Sequence, residues 1–204
     1  MFGSPDFISK HDNSYLKLAV HFKQFFPIIQ DRLTFGGHLA FQGLVAGNAP
    51  FYMLQTIQSI NMKQINTEGL GSTCTLRGTI NNRLQGNSYA WMNTELRWSF
   101  LRGRWLNQNW TLATNPFFDM GMIVSPYRAD QMKALAADIT PIAATGHIAS
   151  DFYNDVAQKL HFSAGIGLHV IMNQNFNINF EFGKCLDPND GTGLGINIGL
   201  NYIF

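Results

Sequence analysis

The stretch that decides the fold is LHFSAGIGLHVIMNQNFNINFEFG, residues 160–183. Leu160, Phe162, Ala164, Ile166, Leu168, Val170 and Met172 take every second position, and His161, Ser163, Gly165, Gly167 and His169 lie between them. After Asn173–Gln174 the alternation resumes, with Phe176, Ile178, Phe180 and Phe182 set against Asn175, Asn177, Asn179, Glu181 and Gly183. Successive side chains of a strand point to opposite faces, so sustained period-two alternation predicts two strands joined by a short turn.

The same period runs through the rest of the chain. Leu16, Leu18, Val20 and Phe22 alternate with Lys17, Ala19, His21 and Lys23. Leu33, Phe35, Leu39 and Phe41 oppose Thr34, His38 and Gln42, and Met92, Leu96, Trp98 and Phe100 oppose Asn93, Glu95, Arg97 and Ser99. Trp110, Leu112, Phe118, Met120, Met122 and Val124 oppose Thr111, Asn115, Asp119 and Gly121. At the end, Leu194, Ile196, Ile198, Leu200, Tyr202 and Phe204 oppose Gly193, Gly195, Asn197, Gly199 and Asn201. Seven strands of about 10–13 residues follow from this count, the span a tilted strand needs to cross a bilayer. Ordinary globular strands run about 5–6 residues.

Connections sort by side. Pro27–Asp31, Gly103–Asn107 and Asn173–Gln174 are short, Ala46–Asn87 and Ser125–Val156 are long, and Lys184–Gly191 is intermediate. Short turns on one side and long loops on the other are the pattern of outer-membrane barrels. Inside the long loops, Pro50–Ile65 and Arg128–Ile139 have compositions that tolerate short helices, ADQMKALAADI being the better candidate. The expected organisation is an N-terminal segment or partial strand over 1–13, then a stretch of transmembrane antiparallel β-barrel over 14–204, with long loops at 46–87 and 125–156.

Composition agrees. Only 13% of the 204 residues are charged while 46% are hydrophobic, against roughly 25% charged in ordinary soluble domains. A net charge of +1 gives no bulk attraction to nucleic acid. No run of about 18 apolar residues predicts a transmembrane helix. Two cysteines, Cys74 and Cys185, make no disulfide framework. MFGSPDFISK lacks the basic-then-apolar order of a signal peptide.

Energetics select the outward face. Reversing the sixth strand would turn Glu181 and its asparagines toward lipid, and charged residues there cost up to a few kcal/mol near the midplane, acids less than bases. It would also withdraw three phenylalanines and an isoleucine from the apolar phase, at roughly 1.5–3 kcal/mol each. Trp98 and Phe100 are therefore expected to face lipid near the interface, and Gly, Asn, Ser and His to line a polar lumen.

Several motifs then point to one family. LRG at 76–78, NRLQGNS at 82–88 and ELRW at 95–98, with NAPFYML upstream and FFDMG at 117–121 downstream, resemble the signature region of the BamA/TamA superfamily of outer-membrane proteins, the bacterial surface antigen family. FSAGIGLHVIMNQNFNINFEFG at 162–183 is similar to a further family segment, and the resemblance runs from about Tyr15 to Phe204. It implies a long extracellular loop that folds into the lumen, with Arg77 and Gly78 at its tip and Glu95 and Asp119 as the acidic positions that receive the arginine. The alternation places both carboxylates inward independently of the family. The chain departs from the family in Thr79 and Leu84, where aromatic residues usually stand. NIGLNYIF, with Gly199, Tyr202 and Phe204, resembles the C-terminal recognition strand read by the outer-membrane assembly machinery.

The resemblance implies a location in the outer membrane of a Gram-negative bacterium and a role in inserting or translocating proteins. It implies lipid and the assembly machinery as partners, and neither nucleic acid nor a cofactor. Family barrels have more strands than these seven, and bacterial single-chain barrels have even strand numbers. The expectation is thus the C-terminal portion of a barrel completed by further strands or a second chain. The histidines suggest little chemistry. His161, Ser163 and His169 share one strand face and His38 stands on another, so a lipid-acting enzyme using His161 and Ser163 is the alternative, beside a passive pore or adhesin. No Cys/His spacing suggests zinc, and GTGLGIN at 191–197 precedes no helix that would bind phosphate. The sequence therefore assigns no catalytic residue and no metal ligand.

Overall fold

A computed structural model describes residues 2–3, 14–47, 49, 53, 57–58, 65–66, 69–71, 74–126, 159–173 and 175–200. The seven expected strands are all present, as β2 (Tyr15–Ile29), β3 (Leu33–Gly47), β6 (Gly86–Trp105), β7 (Gln108–Pro126), β8 (His161–Met172), β9 (Phe176–Cys185) and β10 (Gly195–Leu200). A two-residue strand, β1 (Phe2–Gly3), pairs with Leu16 and Tyr15 of β2. All eight lie in one antiparallel sheet ordered β1-β2-β3-β6-β7-β8-β9-β10. Each long strand pairs with its sequence neighbour, as a meander does. Among the described residues no pairing joins β1 to β10, so the sheet is open.

The turns explain the tight hairpins. Leu106 and Asn107 both have positive φ, 49° and 59°, which a two-residue turn of the primed type requires. Asp31 (φ 60°) and Asn173 (φ 50°) supply the same conformation at the other two short turns. Four strands exceed the expected length: β2 and β3 have 15 residues each, and the longest are the hairpin partners β6, with 20, and β7, with 19. The hairpin continues past the point where β3 ends, and β6 is bulged between Ser99 and Leu101.

Exposure follows the alternation. Leu18, Val20, Phe22, Leu39, Trp98, Ile166, Leu168 and Ile198 are exposed, whereas Lys17, His38, Gln42, Asn93, Glu95, Asn115, Asp119, Ser163, His169 and Asn179 are buried. This is the reverse of a soluble domain. The buried face, called inner below, carries the polar rows, and the open face carries the apolar rows.

The inner rows are not wholly polar, which corrects the sequence expectation. Ala40, Tyr89, Trp91 and Ile123 form a buried cluster with Ile57, Leu70, Leu76 and Leu84 of the loop between β3 and β6. Those wall positions are apolar because a loop covers them. Within the expected helix over Pro50–Ile65, Met53 is helical, whereas further along β4 (Ile57–Gln58) pairs antiparallel with β5 (Ile65–Asn66). Arg128–Ile139, Tyr202 and Phe204 lie outside the described residues.

Candidate functional site

The site forms where the β3–β6 loop meets the inner wall. Local turns shape the descent: Leu70 bridges Leu84, Asn82 N–H donates to Gly71 O at 3.0 Å, and Thr79 N–H donates to Leu76 O at 3.2 Å. The loop's apolar side chains, Leu70 and Leu76, are fully buried against the wall. Thr79 and Leu84, the two departures from the family pattern, are themselves buried, so smaller side chains still fill their places.

Arg77 stands at the tip and is 3% exposed. Its Nε donates to Asp119 Oδ2 at 2.8 Å and its Nη2 to Asp119 Oδ1 at 2.7 Å, a two-pronged grip. Nη1 donates to Glu95 Oε2 and to Glu181 Oε1, both at 3.2 Å. The Arg77 backbone N–H adds a bond to Asp119 Oδ2 at 3.1 Å. The guanidinium plane also lies 3.6 Å from the centre of the Phe117 ring, a contact suited to a planar, weakly hydrated cation. One side chain thus engages β6 through Glu95, β7 through Asp119 and Phe117, and β9 through Glu181.

A surrounding layer fixes these acceptors. Asn115 Nδ2 donates to Glu95 Oε2 at 3.0 Å, and Asn115 Oδ1 faces His169 Nε2 at 2.8 Å. Arg97 Nε bonds Glu95 Oε1, and its guanidinium lies 4.8 Å from the Phe25 ring centre. Asn93 Nδ2 donates to the loop carbonyl of Thr75 at 2.6 Å, with Asn93 Oδ1 facing His38 Nδ1 at 3.1 Å.

Gly78 meets a second set of contacts. Its φ is 85°, and a Cβ there would overlap the Gly183 carbonyl carbon and oxygen. A Cβ on Gly183 would come within 2.9 Å of Arg77 O, and one on Gly195 within 2.6 Å of Gly78 Cα. Gly183 and Gly195 are paired across β9 and β10, so the tip rests on bare backbone. Gly199, further along β10, lies opposite Asn179.

The short loop after β9 holds the tip's return path. Ile80 N–H donates to Asp190 O at 3.0 Å and Arg83 Nε to Asn189 O at 2.9 Å. His161 Nδ1 lies 2.5 Å from Asp190 Oδ2, and Lys159 pairs with Asp187. The Lys159 ammonium, then the Asn189 N–H, hold the Asp187 carboxyl below the usual aspartate range. The hydrogen bond that Lys159 donates to Asp187 in turn pushes the Lys159 pKa up. Ligand atoms of His161, Asp187 and Asp190 come within 4.8 Å of one another. Lys159 and Arg83 already sit beside those carboxylates, so their charge is met by the chain's own cations. Ser163 is fully buried, and its Oγ has no hydrogen-bond partner among the described residues. His161 is turned toward Asp190.

Of the residues singled out from sequence, Arg77, Gly78, Glu95 and Asp119 come together. Four participants were not singled out: Glu181, Asn115, Arg97 and Phe117. Glu181 and Asn115 could be placed on the inner face by alternation, but nothing marked their height. Phe117 carried a signal of a different kind, an aromatic residue on the polar row.

A family model described as the Omp85 superfamily domain matches residues 7–204. Neither a comparison with curated proteins nor one with solved structures gives a match. No helix among the described residues is long and apolar enough to cross a membrane, which says nothing of crossing by strands. The matched span covers every long strand and the Arg77 site, and the chain belongs to the Omp85 superfamily of bacterial outer-membrane β-barrel proteins.

Proposed function

We propose that this chain forms wall of an outer-membrane barrel that inserts or translocates proteins, and that Arg77 tethers the β3–β6 loop inside that wall. The family supports the broad role, since its members act in outer-membrane assembly and translocation. The observation that carries the tether is the burial of Arg77 among carboxylates from three strands. A guanidinium taken out of water is stable only when paired and hydrogen-bonded. Here one residue replaces its hydration with four side-chain hydrogen bonds. Gly78 lets the tip reach the wall, and Glu95 and Asp119 receive it. β10, with Gly199 and the following Tyr202 and Phe204, is the segment that the assembly machinery reads in this proposal.

No step of bond making is assigned to the site. An arginine fully engaged by carboxylates binds and positions. The measurement is protease protection of the loop in the folded membrane protein, alongside heat-modifiable gel mobility. Arg77→Ala removes one partner of a buried ion cluster, a change that typically costs about 3–5 kcal/mol. The loop is expected to become cleavable while the barrel band persists. Unchanged protection and unchanged mobility together defeat the tether.

A further inference from the structure

The hairpin formed by β6 and β7 leaves a step in the sheet. Pairing of β3 with β6 runs from Gly43↔Ser88 to Leu33↔Trp98, and the chain then turns at 30–32. β6 continues to Trp105, so Phe100–Trp105 has no strand partner on that side among the described residues. At about 3.3 Å per residue the uncovered edge is roughly 20 Å long. A notch in a barrel wall opens both to the lipid and to the interior.

The two sides of this notch differ in chemistry. Outward stand Leu101 at 55% exposure, Trp105 at 68% and, at the turn, Leu106 at 71%. Leu106 is in the left-handed region, where glycine or asparagine is the usual choice for a wet turn. A leucine held there and left bare is suited to an apolar medium. Inward stand Arg102 and Arg104, opposite Thr111 and Asn109, both exposed. Among the described residues neither makes an ion pair. The sequence from Ser99 to Thr114 has no acidic residue, and at the adjoining turn Arg32 stands beside Asp31. A cleft of about 710 Å³ borders this notch, its lining including Asp31, Arg102, Asn109 and Thr111 from the inner side and Trp110 from the outer.

We propose that this notch binds the phosphate of an anionic phospholipid headgroup. Arg102 and Arg104 meet the phosphate, the uncovered β6 edge offers backbone N–H donors, and the acyl chains lie along Leu101, Trp105 and Trp110. Guanidinium suits phosphate because its planar fork donates two parallel bonds. Tryptophan suits the level of the headgroups. Arginine stems are long enough to carry the charge round the strand edge to that level. The inference requires the membrane placement of the chain and is independent of the Arg77 tether.

The test uses the full membrane protein with an environment-sensitive fluorescent amino acid in place of Trp105. The protein is folded into phosphatidylcholine vesicles containing increasing phosphatidylglycerol. Emission is expected to change saturably with phosphatidylglycerol and to lose that response at high salt. A basic residue near an anionic surface contributes about a fivefold gain in binding. The double variant Arg102→Gln/Arg104→Gln should therefore need at least about tenfold more anionic lipid for the same change. Inorganic phosphate added to pure phosphatidylcholine vesicles separates the two phosphate sources, and a full response there overturns the lipid assignment. Equal emission with and without phosphatidylglycerol in the labelled protein that keeps both arginines overturns the proposal, as does an undiminished response in the labelled double variant. The salt titration needs no arginine variant, so it decides the matter even where that variant folds poorly.

Discussion

At the scale of residues, the Arg77 cluster is unequal in its parts. Asp119 takes both prongs of the guanidinium and a backbone N–H, whereas Glu181 takes one bond at 3.2 Å. Two guanidinium groups, Arg77 and Arg97, face three carboxylates, so the cluster carries one formal negative charge in excess. Asp119→Asn removes the strongest pairing and turns an acceptor into a competing donor. It should expose the loop to protease nearly as fully as Arg77→Ala, a loss of about 3–5 kcal/mol. Glu181→Gln keeps an acceptor and relieves the excess charge, so the same assay should move by no more than about 1 kcal/mol. Equal losses in the two variants would show that charge number, not the geometry of the fork, sets the contact. Glu95 and Asp119 were legible because motif and strand parity coincide there, whereas Arg77, on a loop, was legible from the motif alone. Glu181 was legible only as an inward residue, because alternation fixes the face of a side chain and leaves its height open. The height depends on register, and the register between β7, β8 and β9 is set by their turns.

At the scale of elements, the loop after β9 is a clasp on the long loop, built from Asp187, Asn189 and Asp190. Asp187 caps the short turn Pro188–Asp190 by accepting from Asn189 N–H. Its carboxyl is held below the usual aspartate range by Lys159 first and by that N–H second. A depressed folded-state pKa contributes stability that is complete above the unfolded pKa and is lost as pH falls through the folded one. The clasp should therefore hold from neutral pH down to about pH 4 and loosen only below it. Hydrogen exchange at the Asn189 amide measures this, and Lys159→Ala should move the loosening to higher pH. Loss of protection already at pH 6 in the unsubstituted protein would assign the clasp to a different group. The elements themselves were the most legible part of the sequence, because period two persists over each long strand. What remained hidden was the apolar patch of Tyr89, Trp91 and Ile123 on the inner wall. An apolar residue on a polar row reads as noise until the loop that covers it, with Leu70, Leu76 and Leu84, is in place.

At the scale of the whole molecule, one sheet divides two media, and this division should be measurable between adjacent residues. In β10 the burial pattern alternates residue by residue. Ile198 is 67% exposed on the apolar side, while Asn197 faces inward and its Nδ2 lies 3.5 Å from Glu181 Oε2. An arginine in place of Ile198 puts a charge toward hydrocarbon, at a cost of up to about 2–4 kcal/mol depending on depth. An arginine in place of Asn197 keeps its charge in a wet interior beside a carboxylate, where a partly exposed pair is worth about 0–1 kcal/mol. Unfolding by urea of the protein folded in vesicles should therefore weaken strongly for Ile198→Arg and barely change for Asn197→Arg. A soluble sandwich predicts the reverse, since the exposed side would be water and the buried side a dry core. Two substitutions one residue apart thus distinguish the two solvents, and equal tolerance at both positions would contradict the sidedness on which the membrane placement of β10 rests.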